Sequence, residues 1–181
     1  AQNTAIGTYS LQSSTSATIN TAIGYGSQKN NSTGGANTAI GSYSLYMNSA
    51  GNSNTALGTY SLFSNRASDN TAVGDSSLYS NTDGTDNVAV GRNSLYYNTT
   101  GGLNVAIGRS SLLNSTGNYN IALGYAAGDN LTAGDSNILI GYNVDAQSAT
   151  GSNQLSIGNL IFGSGGFGTG TTVGAGTIGI G

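Results

Sequence analysis

The sequence predicts an all-β chain, a β-solenoid or parallel β-roll of ten coils, each 16–17 residues long. Three observations predict it. A five-residue motif first met at Asn3–Gly7 occurs ten times, its residues alternate with period two, and the 181 residues contain no proline. Self-similarity at a short fixed step is the signature of a repeat architecture. Alternation is the signature of a strand. Proline removes a ladder donor, so its absence suits strands paired on both edges.

The motif glycines set the register: Gly7, Gly24, Gly41, Gly58, Gly74, Gly91, Gly108, Gly124, Gly141 and Gly158. They recur every 17 residues, with a step of 16 at Gly58–Gly74 and at Gly108–Gly124. Each marks a corner where the backbone needs a positive φ or a close approach. Four residues earlier stands Asn3, Asn20, Asn37, Asn54, Asn70, Asn87, Asn104, Asn120 or Asn137, with Gln154 in the last unit. Stacked coils turn this column into a ladder of side-chain amides. Between the two lie Thr, Val, Ile or Leu, then a small residue that is Ala in eight units, then Ile, Leu or Val.

Alternation puts the first and last of these three on one face and the small residue on the other. Hydrophobicity assigns the Thr/Ile face to the interior, each Ile above the Ile of the coil below. The Ala face then becomes a flat outer surface suited to packing against another copy. After the Gly, a Ser-Leu pair recurs in most units, as at Ser44-Leu45 and Ser94-Leu95, and reads as a second short strand. Asn, Ser, Thr and Gly close the unit as a polar loop, where a deletion is tolerated. Ten such coils make a rod roughly 50 Å long.

The repeat occupies residues 1–158. Its last units, from Ala126 onward, lose the Ser-Leu pair, as terminal repeats commonly do. Residues 159–181 are Gly-rich and read as an extended tail leading into a further segment. The amino end opens in mid-pattern, as expected of a mature or trimmed piece of a longer chain.

Composition removes whole classes of function. There is no His, Glu, Cys or Trp. That leaves Asp as the ordinary general base, and it leaves no thiolate nucleophile or cysteine-bound zinc. Nothing pairs two Asp for catalysis, and the chain reads as non-enzymatic, with no cofactor and no metal. Asp129, Asp135 and Asp145 do not have calcium-loop spacing and read as turn formers. Four basic residues against seven acidic exclude the basic stripe of a nucleic-acid binder. No apolar run is long enough for insertion into a membrane. "GSGGFG" at Gly163–Gly168 lacks the βαβ setting of a dinucleotide site and reads as plain tail.

The units resemble the "NTAIG-x-x-SLY-x-N-x-x-G" repeats of phage tail-fibre-like and bacterial surface proteins, which often end in an endosialidase-type intramolecular chaperone domain. The resemblance reaches "NQLSIGNLIFG" (Asn153–Gly163) and "GTIGIG" (Gly176–Gly181). The motif is also similar to the head repeats of trimeric autotransporter adhesins, left-handed parallel β-rolls with shorter units that pack as trimers. The resemblance implies a homotrimeric extracellular fibre, read here as an attachment fibre on a virion or bacterial surface with itself as partner. The low charge and the abundant Ser, Thr, Asn and Tyr suit weak, multivalent contacts with a host-cell glycan or receptor as a further partner.

The candidate contact residues are Tyr46, Phe63, Tyr79 and Tyr96, which follow the Leu slot in four consecutive units. They are expected outside the coil, where they would either hold a glycan or bury against a neighbouring chain. Two other functions share the roll. One is a self-assembling filament stacked end to end. The other is a monomeric ice-binding solenoid, which needs the regular Thr face outside; the assignment of that face to the interior ranks it last.

Overall fold

The computed structural model describes residues 2–158 and the strands Ile161–Ser164 and Thr177–Ile180. The strands form a single sheet in sequence order. They are β1 (Thr4–Ile6), β2 (Thr21–Ile23), β3 (Thr38–Ile40), β4 (Thr55–Leu57), β5 (Thr71–Val73), β6 (Val88–Val90), β7 (Val105–Ile107), β8 (Ile121–Leu123), β9 (Ile138–Ile140), β10 (Leu155–Ile157), β11 (Ile161–Ser164) and β12 (Thr177–Ile180). β1 to β10 are parallel and in exact motif register, as in Thr21 opposite Thr38, Ala22 opposite Ala39 and Ile23 opposite Ile40. Each strand-to-strand segment therefore closes one coil, and the architecture is a β-solenoid.

The faces of the strands are reversed from the expectation. Ala22, Ala39, Ala56, Ala72, Ala89, Ala106 and Ala122 are completely buried, whereas Ile40, Leu57 and Ile107 are 37%, 45% and 43% exposed. The cause is the width of the coil. Leu45, Leu62, Leu78, Leu95 and Leu112 enter from the opposite side and fill the interior. Only a small residue then fits across from them, because protein interiors are close-packed. The exception supports this reason. Leu139 replaces Ala in β9, and the Leu slot beside it is Gly128, where a Cβ would collide with the Leu139 side chain. Volume lost in one column returns in the other.

In the coils that open at Gly7 through Gly124 the expected second strand is absent. There the segment after the Gly is two consecutive turns, closed in one coil by Ser61 N–H donating to Gly58 O (3.4 Å) and Asn65 N–H to Leu62 O (3.2 Å). Its second and fourth residues are left-handed, with φ of 56° at Tyr60 and 50° at Leu62. Such residues are costly, by about 1–3 kcal/mol each. They point their N–H groups along the rod axis: Tyr60 donates back to Ser42 O and Leu62 forward to Ser77 O, both at 3.0 Å. Backbone pairing thus continues around the coil without an extended strand.

The one-residue shortening falls at the outer corner, where Ala67 aligns with Gly51. At the carboxyl end the parallel stack stops. Nine motif glycines have φ between 122° and 138°, but Gly158 has φ 59°. β11 then pairs antiparallel with β10, and β12 antiparallel with β11. Two strands thus lie within the stretch expected to be extended tail. Gly165–Gly168, the rest of the GSGGFG segment, lies outside the described residues.

Candidate functional site

The interior is held by amides as much as by leucines. Backbone N–H groups of Asn20, Asn37, Asn54, Asn70, Asn87, Asn104, Asn120, Asn137 and Gln154 each donate to the side-chain Oδ1 of the Asn one coil earlier, at 2.8–3.0 Å. At that corner the side chain replaces a backbone acceptor. The amide nitrogens complete the ladder, with Asn87 Nδ2 donating to Asn70 Oδ1 (3.1 Å) and to Gly101 O (2.8 Å).

Sequence reading missed a second ladder. Asn31, Asn48, Asn65, Asn81 and Asn98, seven residues after the motif Gly, are also fully buried. Asn81 Nδ2 donates to Asn65 Oδ1 (2.7 Å) and Asn98 Nδ2 to Asn81 Oδ1 (3.1 Å). The two ladders meet at a shared carbonyl: Asn20 and Asn31 both donate to Gly34 O, at 2.9 and 3.1 Å. The signal was present, since these five Asn recur in consecutive units at the step of the motif Asn, but they lie in a stretch that composition marks as loop. The motif Gly has two reasons to be Gly. At Gly91 φ is 130°, and a Cβ would sit 2.6 Å from Gly108 O.

The outside of the coil carries the candidates for contact. Tyr46, Phe63, Tyr79 and Tyr96 stack in parallel, with ring centroids 5.2, 5.1 and 5.0 Å apart and interplanar angles of 1–5°. All four are half-buried. Parallel stacking covers the faces of the interior rings and leaves their edges to solvent. The Lys29 ammonium lies 5.8 Å from the Tyr46 ring centre at one end of the column. A second aromatic column, also missed in the sequence, runs beside it: Tyr9, Tyr25, Tyr43 and Tyr60, with centroids 5.5, 5.2 and 5.3 Å apart. The columns lock edge to face, Tyr43 on Tyr46 at 5.4 Å and Tyr60 on Phe63 at 5.8 Å. Tyr25 follows its Gly by one residue rather than two, which hid the column from a slot-by-slot reading.

The second column ends at Tyr60. In the next two coils its slot holds Ser76 and Asn93, and a cavity of about 420 Å³ opens there, lined by Asp75, Ser76, Arg92, Asn93, Tyr96, Tyr97 and Leu113. Tyr97 meets Tyr96 edge to face at 4.7 Å and is 54% exposed. Arg92 Nε stands 3.6 Å from Asp75 Oδ1. Burial, then Tyr79, Tyr97 and Asp75, push the Tyr96 phenol above its ordinary value.

The strand side presents a different surface. Its outward residues are Thr or aliphatic in all ten parallel strands, with no charge among them. Beside them Ile19, Leu103 and Tyr119 are 61%, 48% and 59% exposed. The Asp residues weighed for calcium do not converge. Asp135 accepts from Asn118 N–H at 2.6 Å, while burial and then Asp145 raise the Asp129 carboxyl, opposed by the Asn130 amide. Among the described residues no helix is long and apolar enough to cross a membrane, and no three acidic groups gather as metal ligands. No family profile, curated protein or solved structure matches the chain.

Proposed function

We propose that the chain is the rigid shaft or head of a homotrimeric extracellular attachment fibre, on a virion or a bacterial surface, and that it acts structurally rather than as a catalyst. The outward sheet face carries this reading. Ten strands spaced by about 4.8 Å and three residues wide give a projected face of roughly 450 Å². That is the size of the largest apolar patch on a typical monomer, about 300–600 Å², and such patches often mark a contact surface. A partner that fills rows at this pitch along the whole length must have the same pitch, and a second copy of the chain does. Closed rotational symmetry satisfies such a face without leaving a copy unpaired. The resemblance of the repeat to phage and bacterial surface fibres supports three copies and an extracellular place. Three aromatic surfaces on one rod suit multivalent contact with surface glycans.

The antiparallel β11–β12 pair on β10 favours the fibre over end-to-end filament growth, because a stacking unit would not meet an open parallel edge there. One observation favours ice binding more than the sequence did. Thr21, Thr38, Thr55 and Thr71 face outward in register. From Val88 onward the same row is aliphatic.

Native mass spectrometry of the folded chain tests the proposal. A three-chain mass that falls to one chain in Ile107→Lys supports it. A single-chain mass for the unaltered protein overturns it, and thermal hysteresis of that monomer would establish the ice-binding reading instead.

A further inference from the structure

The cavity beside Tyr97 has a shape that the molecule itself explains. Coil register places residue 93 against Tyr96 as Tyr43 stands against Tyr46 and Tyr60 against Phe63. Asn93 has φ 57°, the value at Tyr43. The slot is therefore one that elsewhere in the chain takes a six-membered ring, left unfilled because Ser76 and Asn93 are short. Its volume, about 420 Å³, lies within the range of small-molecule sites, about 300–1,000 Å³.

The lining joins an aromatic wall to a rim of mixed polarity. Asp75 only accepts hydrogen bonds, Arg92 only donates, and Asn93 does both. The Asp75–Arg92 pair, 3.6 Å apart, leaves no net charge to select an ion. A pyranose ring matches this combination: one apolar C–H face, with hydroxyls around the ring that both donate and accept. An aromatic side chain would use the wall and leave the rim unused.

We propose that this cavity binds one pyranose ring of a neutral glycan, with the Tyr97 ring against the sugar's C–H face and Asp75, Arg92 and Asn93 on its hydroxyls. The inference deepens the glycan-contact part of the proposed function and moves it from the stacked column to the column's end. Interior rings of the stack have their faces covered by one another; Tyr97 does not stack in the column and stays exposed. Every residue of the site belongs to one chain, so the site stands whether the native mass is one chain or three.

Saturation-transfer NMR on the full chain tests it, with methyl β-glucoside, methyl β-galactoside, methyl β-N-acetylglucosaminide and methyl α-mannoside as probes and N-acetyltyrosinamide as competitor. Transfer to at least one pyranoside is expected. It is expected to be lost in Tyr97→Ala, and lost in Asn93→Tyr, which fills the slot with the ring that Tyr43 and Tyr60 already supply. Asn93→Tyr should melt no lower than the unaltered chain, so loss of transfer there reads as occupation and not unfolding. No transfer from any of the four sugars, transfer unchanged in Asn93→Tyr, or displacement of the sugar by N-acetyltyrosinamide would each overturn the assignment.

Discussion

The first six coils and the last four build the same parallel strand stack on different interiors. In the second to sixth coils the slot seven residues after the motif Gly is Asn, from Asn31 to Asn98, hydrogen-bonded coil to coil from Asn48 onward. In the following coils that slot becomes Ser115, whose buried hydroxyl has no protein partner, and then Leu131, fully buried. In the same region Leu139 and Val144 enter the core and the column of Tyr46, Phe63, Tyr79 and Tyr96 gives way to Leu113 and Asp129. The parallel register does not notice: Val90 pairs with Ile107 as Ile140 pairs with Ile157. The coil is therefore specified by what the two halves share, namely the Gly corner, the motif Asn and the narrow inner strand position. Amides or aliphatics can fill the rest.

The largest effects should fall on the shared parts, and equally in both halves. Gly91→Ala forces a Cβ to 2.6 Å from Gly108 O at φ 130° and should cost about 3 kcal/mol or more in urea unfolding. Gly141→Ala, in the second half, should cost a similar amount, since its Cβ would meet Val144 Cγ2 at 2.8 Å at φ 134°. A Gly→Ala variant in one half that unfolds no earlier would break the claim that both halves obey one backbone rule.

Next in size is the exchange of volume in the second half. Leu139→Ala should cost about 2–5 kcal/mol by leaving a cavity. Gly128→Leu alone should also destabilise, by overpacking against Leu139. The double variant restores the Leu–Ala arrangement of the first half and should recover most of both losses in a thermodynamic cycle. Additive losses would separate the two columns. In the first half, Phe63→Ala removes two parallel stacks, at 5.2 and 5.1 Å. The expected loss is about 1–3 kcal/mol, larger than that of Leu113→Ala in the same slot.

The smallest effect is one of pH and belongs to the second half alone. Burial, then Asp145, hold the half-buried Asp129 carboxyl above its ordinary value. Its raised folded pKa means that ionisation weakens the fold: no penalty is felt below the unfolded value, and the penalty grows as pH rises through the folded one. Asp129→Asn should therefore raise the melting temperature slightly at neutral pH and leave it unchanged in acid. An equal difference at both pH values would remove the effect from this carboxyl.

How far the fold could be read depended on what repetition encodes. The period, the number of coils and the corners were legible because ten copies in one chain act as an alignment of the chain with itself. Which face points inward was not legible from alternation, because a period of two has two phases and hydrophobicity selects the wrong one. The discriminating signal was variation among the copies. The middle position stays Ala through Ala122, as a confined site must, while its neighbour drifts from Thr71 to Val88 to Ile121, as an outer site can. The left-handed turns at Tyr60 and Leu62 could not be read, since neither residue type favours positive φ. The first aromatic column was legible by slot; the cavity appears only where its neighbour column ends, which requires the packing of two columns against each other.

The outward sheet face that copies share is tested most directly with a single cysteine, which the absence of native Cys makes clean. Ile107→Cys, oxidised in the folded protein, should give a covalent two-chain band on a denaturing gel, while Tyr142→Cys, 78% exposed and beyond the end of its strand, should not. Cross-linking through Tyr142→Cys with none through Ile107→Cys would contradict the assembly at the sheet face.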